Sequence, residues 1–98
     1  MVVLSAELRF RIPGVRSLKD KRQVRRSLID GARHTFHAAV AEVGAQDDHR
    51  SLVIGVAVVS GETAHARQQL DAVIRYMEER TEAELMEVER GDLVLTSI

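Results

Sequence analysis

The chain of 98 residues contains no cysteine and no asparagine, has a single proline, and is only 3% aromatic. Without cysteine there can be no disulfide, no thiolate metal site and no cysteine nucleophile. The three aromatics, Phe10, Phe36 and Tyr76, are too few to build an RNA-recognition sheet that stacks bases on exposed strand rings. A core built from 45% hydrophobic residues must therefore be aliphatic, made of Val, Leu, Ile and Ala. No apolar run approaches the roughly 20 residues that span a bilayer. The opening "MVVLSAELRF" lacks the basic region of a secretion signal. The expectation is a cytoplasmic protein with no membrane partner, folded as one domain over residues 1–98.

Charge is present but unevenly placed. Residues 1–33 hold nine Lys/Arg against three acids, a balance of +6, while residues 34–98 hold five against twelve, a balance of −7. A net charge of −1 thus hides a polarised chain. Basic faces attract phosphates.

The order of elements follows from periodicity. From Val3 to Ile12 apolar residues alternate with polar ones, the mark of a half-buried strand, and Pro13-Gly14 ends it. Ser17 and Asp20 form an acidic variant of the capping box, opening a helix expected over Leu18 to Phe36. At about 100° per residue, Leu18, Val24, Leu28, Ile29, Ala32 and Phe36 share one apolar arc. Gly31 inside it signals close packing or an early helix end. "HAAVAEVG" (37–44) alternates as a second strand. "LVIGVAVVS" (52–60), β-branched and apolar on both faces, reads as a central strand with Gly55 at a bulge or close approach. Ser60 caps a second helix over Glu62 to Arg80, and "ELMEVER" (84–90) is a fourth strand, after which Gly91-Asp92 is expected to turn into a short "LVLTS" extension. The order βαββαβ specifies an α+β, ferredoxin-like sandwich: a four-stranded antiparallel sheet, first and third strands central, with two helices on one face.

The segment "RIPGVRSLKDKRQVRRSL" (11–28) holds seven of the nine basic residues that lie at or before Arg33. Lys19, Arg22, Arg26 and Arg33 form a stripe flanking the apolar arc, whereas Lys21 and Arg25 fall inside the arc, where a charge must be paired or reach past the core edge. An overhanging helix start would gather these two beside Arg9, Arg11 and Arg16 in one positive corner. With the helix N-terminus, Gly14, Arg16, Ser17, Lys19 and Lys21 make a candidate phosphate cradle. The competing reading is a solvated helix face whose cations pair with Asp20, Asp30 or the acidic fourth strand.

Enzymatic chemistry finds little support. "PGVRS" is loosely like the phosphate cradle of acylphosphatases, which share this fold order, but their asparagine has no counterpart here. His34 and His37 straddle a helix-to-strand junction, and Asp47, Asp48 and His49 cluster in a loop without completing a metal motif. No Ser-His-Asp order or glycine-rich nucleotide motif is present. No catalytic residue, metal or cofactor is expected.

"PGVRSLKDKR" followed by "SL", then "VAEV", "QDD" and "GVAVVS", resembles the small bacterial YlxP-like proteins, a family of unknown function; "SLKDKR" (17–22) is its most specific part. The resemblance implies the same ferredoxin-like fold. It also implies a genetic setting beside ribosome-maturation factors, and hence rRNA or a ribosomal subunit as partner. Three functional expectations follow: a ribosome-associated RNA-binding accessory protein, an oligomerising scaffold or small-anion regulatory module, and, weakest, a phosphate-ester or acylphosphate hydrolase. A homodimer through the open sheet face is expected because the third strand is apolar on both sides.

Overall fold

The computed structural model describes residues 1–80 and 82–94. Six elements follow in the order β1 (Val2–Arg11), α1 (Leu18–Thr35), β2 (Ala39–Gly44), β3 (Ser51–Ser60), α2 (Thr63–Arg80) and β4 (Glu84–Val94). The strands form one antiparallel sheet ordered β2-β3-β1-β4, so the two central strands are those that the pattern placed there. This is the ferredoxin-like sandwich.

Alternation along β1 sends Val2, Leu4, Ala6, Leu8, Phe10 and Ile12 to the helix side, each at most 5% exposed. Residues Leu52, Ile54, Val56 and Val58 of β3 join them, and Leu70, Val73 and Met77 of α2 close over the cluster. Burying each such side chain contributes about 1.5–3 kcal/mol. Both apolar faces of β3 are thereby resolved: the even-numbered residues face the helices, and Val53, Gly55, Ala57 and Val59 face away.

Three local expectations are corrected, and a fourth, left between two readings, is decided. Leu18, placed in the apolar arc, is 46% exposed, while Lys21 is 2% exposed: the first turn of α1 overhangs the sheet and a lysine, not the leucine, enters the interior. Ser60 does not cap α2 directly; its hydroxyl accepts from the Glu62 N–H, a tight turn just before the helix. β4 does not turn at Gly91-Asp92. It runs on to Val94 because β1 offers a ladder long enough to pair it, Ser5 opposing Gly91 and donating its hydroxyl to the Gly91 carbonyl. The expected "LVLTS" extension lies partly outside the described residues. Of the two readings offered for Gly55, the close approach is the one found. The register shift falls in β2 between Glu42 and Gly44, and a Cβ on Gly55 would stand 2.8 Å from Val43.

Gly31 stays helical and marks the crossing of the two helices, where a Cβ would stand 2.6 Å from the Tyr76 hydroxyl. α1 packs on β2 and β3, and α2 on β1 and β3. The basic helix therefore lies along the β2 edge of the sheet, and the acidic β4 forms the opposite edge. No helix among the described residues is long and apolar enough to cross a membrane.

Candidate anion-binding surface on the first helix

The start of α1 is built as the sequence pattern requires, and that construction fills the cradle. Ser17, in extended backbone, accepts from the Asp20 N–H at 3.2 Å, and the Asp20 carboxylate accepts from the Arg16 N–H at 3.3 Å. Gly14, at φ 78°, turns the chain into this cap. A carboxylate thus already faces the positive end of the helix, where an external phosphate would have to displace it.

Lys21 is the second departure. Its ammonium donates to the carbonyl oxygens of Ala45 at 2.7 Å and Asp48 at 2.9 Å, and lies 3.1 Å from Oε2 of Glu42. Among the described residues no donor is aligned with that buried Oε2, so Lys21 answers it as a charge and not as a hydrogen-bond donor. Arg25 reaches the other oxygen, Oε1, at 3.1 Å. Glu42, on the inward side of β2 beside Val40, is the shared counter-ion that the basic segment alone could not reveal. The alternation of β2 carried the signal, since it points residues 40 and 42 the same way.

Arg33 is likewise engaged, its Nε and Nη2 both donating to the Val40 carbonyl and so covering an acceptor on an edge strand. Arg9 and Arg11 belong to the outward set of β1, across the sheet from α1, where they oppose Glu87 and Glu84. The single positive corner is therefore divided by the sheet itself.

Arg16, Lys19, Arg22 and Arg26 are what the helix presents to solvent. All four are exposed, and none has an ion-pair partner among the described residues. Beside them Arg26, Asp30 and Arg33 line a shallow groove of about 290 Å³ against β2.

The histidines and loop acids take other places. His34 and His37 are exposed at the end of α1, and the His37 carbonyl accepts from Gln69. Asp48 organises the β2–β3 loop: its carboxylate accepts from the Arg50 N–H at 2.9 Å, and that bond holds its carboxyl below the ordinary 3.8. Among the described residues no group of three or more His, Asp or Glu side chains converges as metal ligands would.

Three comparisons bear on this arrangement. The family described as "Protein of unknown function (DUF503)" matches residues 3–90. The chain is similar to "Uncharacterized protein YlxP" of Bacillus subtilis (strain 168), 28% identical over 68 residues that cover 69% of this chain and 74% of that protein. In shape it is similar to the solution NMR structure of a de novo designed protein with a ferredoxin fold, at a TM-score of 0.57 and 12% identity, covering 99% of this chain and 89% of the other. The last likeness speaks for the fold alone.

Proposed function

We propose, from the premise that the chain belongs to the DUF503 family of proteins of unknown function, that it is a non-catalytic accessory protein binding the phosphate backbone of ribosomal RNA through the exposed face of α1. One observation carries this reading. Of the eleven residues that the sequence offers for anion binding, Arg16, Lys19, Arg22 and Arg26 alone combine exposure on the helix side of the sheet, positive charge and no internal ion pair or side-chain hydrogen bond among the described residues. From Lys19 to Arg26 the helix rises about 10 Å. That is a span over which neighbouring phosphates can each meet a cation.

The chemistry that such a surface supports is sequence-tolerant. Cations contact phosphates and fix orientation, while base identity would need ring stacking or edge contacts. Tyr76 and Phe36 stack on each other edge to face at 5.4 Å and are partly buried against the core. The resemblance to a family encoded beside ribosome-maturation factors favours ribosomal RNA over other polyanions. Co-sedimentation of the protein with ribosomal subunits at two salt concentrations tests the reading. Association at low salt that is lost at high salt supports it, and no association at low salt overturns it.

A further inference from the structure

The face of the sheet that no helix covers holds a trough with an unusually small-residue floor. Register aligns Ala39, Ala57, Ser5 and Gly91 in one row across the four strands, and Ala41, Gly55, Glu7 and Glu89 in the next. These two rows line a concavity of about 720 Å³. Val43, thrown outward where the β2 register shifts, stands on one side of it, and Val59, at 61% exposure, stands in the row beyond the other.

The second row contains an arrangement that folding alone does not favour. Glu7 and Glu89 are directly opposite across β1 and β4, a like-charge pair that weakens the sheet; Arg9 lines the neighbouring hollow with them but opposes Glu87, so the three carboxylates Glu7, Glu87 and Glu89 outnumber it. Arg33 lies at the other end of the trough, beyond β2. The trough is thus apolar along β2 and β3, acidic over β1 and β4, and basic at its far end.

We propose that this trough docks a cationic amphipathic helix of a partner protein, laid across the strands with its N-terminus toward Glu7 and Glu89. Four strands at about 4.8 Å spacing place the outer two roughly 14 Å apart, which matches about ten helical residues. A floor of Ala, Gly and Ser lets a helix approach closely with its apolar stripe between the two valines. Lysines or arginines on its flank meet Glu7 and Glu89 and relieve their repulsion. The helix dipole sets the direction, its positive end on the carboxylates and its negative end toward Arg33. A second copy of this chain fits less well, because it brings another Glu7–Glu89 pair onto the same rim. A nucleic acid is repelled by it. Arg16, Lys19, Arg22 and Arg26 lie on the helix side of the sheet, and Arg33, the residue of α1 that reaches the end of the trough, is not among them, so this docking is independent of RNA binding.

The experiment uses the full chain and a fluorescein-labelled peptide of about fourteen residues, composed of Leu, Ala and Lys in amphipathic helical order. The control is a peptide of identical composition in strictly alternating order. Fluorescence anisotropy is expected to show the helical peptide binding about tenfold or more tightly than the control. Glu7→Gln/Glu89→Gln should weaken that binding about tenfold, and Ala57→Leu, which fills the floor, should abolish it, while Arg22→Ala/Arg26→Ala leaves it unchanged. If circular dichroism shows Ala57→Leu unfolded, Ala41→Leu on the exposed edge strand gives the same readout. Equal affinity for both peptides, no binding by the wild type, or indifference to the floor substitutions overturns the proposal. So does light scattering that finds a wild-type dimer dissociated by Ala41→Leu, which would make the occupant a second copy.

Discussion

The ammonium of Lys21 lies 3.1 Å from the carboxylate of Glu42, joining the first turn of α1 to an edge strand, with side chains only 3% and 10% exposed. Through its bonds to Ala45 and Asp48 the same ammonium closes the β2–β3 loop, in which Ala45 holds a positive φ of 52°. One lysine therefore ties together α1, β2 and the β2–β3 loop.

Removing one member of such a pair strands the other charge in the interior. Lys21→Met is expected to destabilise the protein by about 3 kcal/mol in urea unfolding, somewhat softened because Arg25 still reaches Glu42. Adding Glu42→Leu should recover part of that loss, since the uncompensated carboxylate is then gone. A double variant as unstable as the sum of two separate losses would contradict the pairing.

Gly31 gives a test of helix packing. Alanine is favoured over glycine in a helix interior by about 1 kcal/mol. Here the new Cβ would meet the Tyr76 hydroxyl, whose ring is held by Phe36 on its edge and by the Arg80 guanidinium 5.2 Å from its centroid. Overpacking of this kind costs about 1–3 kcal/mol, so Gly31→Ala should lower stability by about 1 kcal/mol. With Tyr76→Phe, which removes the clashing oxygen, the same change should become stabilising in thermal unfolding.

Asp48 sets an acid-side dependence. Its carboxyl is held low by the Arg50 N–H, so its contribution to stability is fully present above about pH 4, the unfolded value, and is lost as pH falls through the lower folded-state pKa. An NMR titration should give a midpoint below 3.8, and Asp48→Asn should flatten the corresponding part of the stability profile. A midpoint at or above the ordinary carboxylate value would remove the loop bond from the account.

The fold was legible because β1 and both helices carry strong periodicity, which reports which face of an element is dry, and because β3 is a continuous β-branched run, which marks a central strand. The candidate surface was legible only in part. A lysine inside an apolar arc must be compensated, yet the compensating Glu42 lies on another element, and only the topology brings α1 beside β2. Arg9 and Arg11 are separated from the helix by a rule that the sequence already contained. Residues alternating with the core-facing set of β1 must point away from whatever covers that set. The continuation of β4 through Gly91-Asp92 was hidden because a glycine next to an acid looks like a turn, and the length of the partner strand decides otherwise.

The most direct test of the central claim is the salt dependence of ribosomal RNA affinity for the wild type and for Arg22→Ala/Arg26→Ala. Both residues are exposed and without ion pairs among the described residues, so the variant should remain folded, which circular dichroism can establish. If the two side chains contact phosphates, the log–log slope of affinity against salt should fall by about 0.7–0.9 for each, with similar weakening for unrelated RNA sequences. A folded double variant that binds at low salt as tightly as the wild type, with the same slope, would show that this face of α1 is solvated surface and would contradict the proposed function.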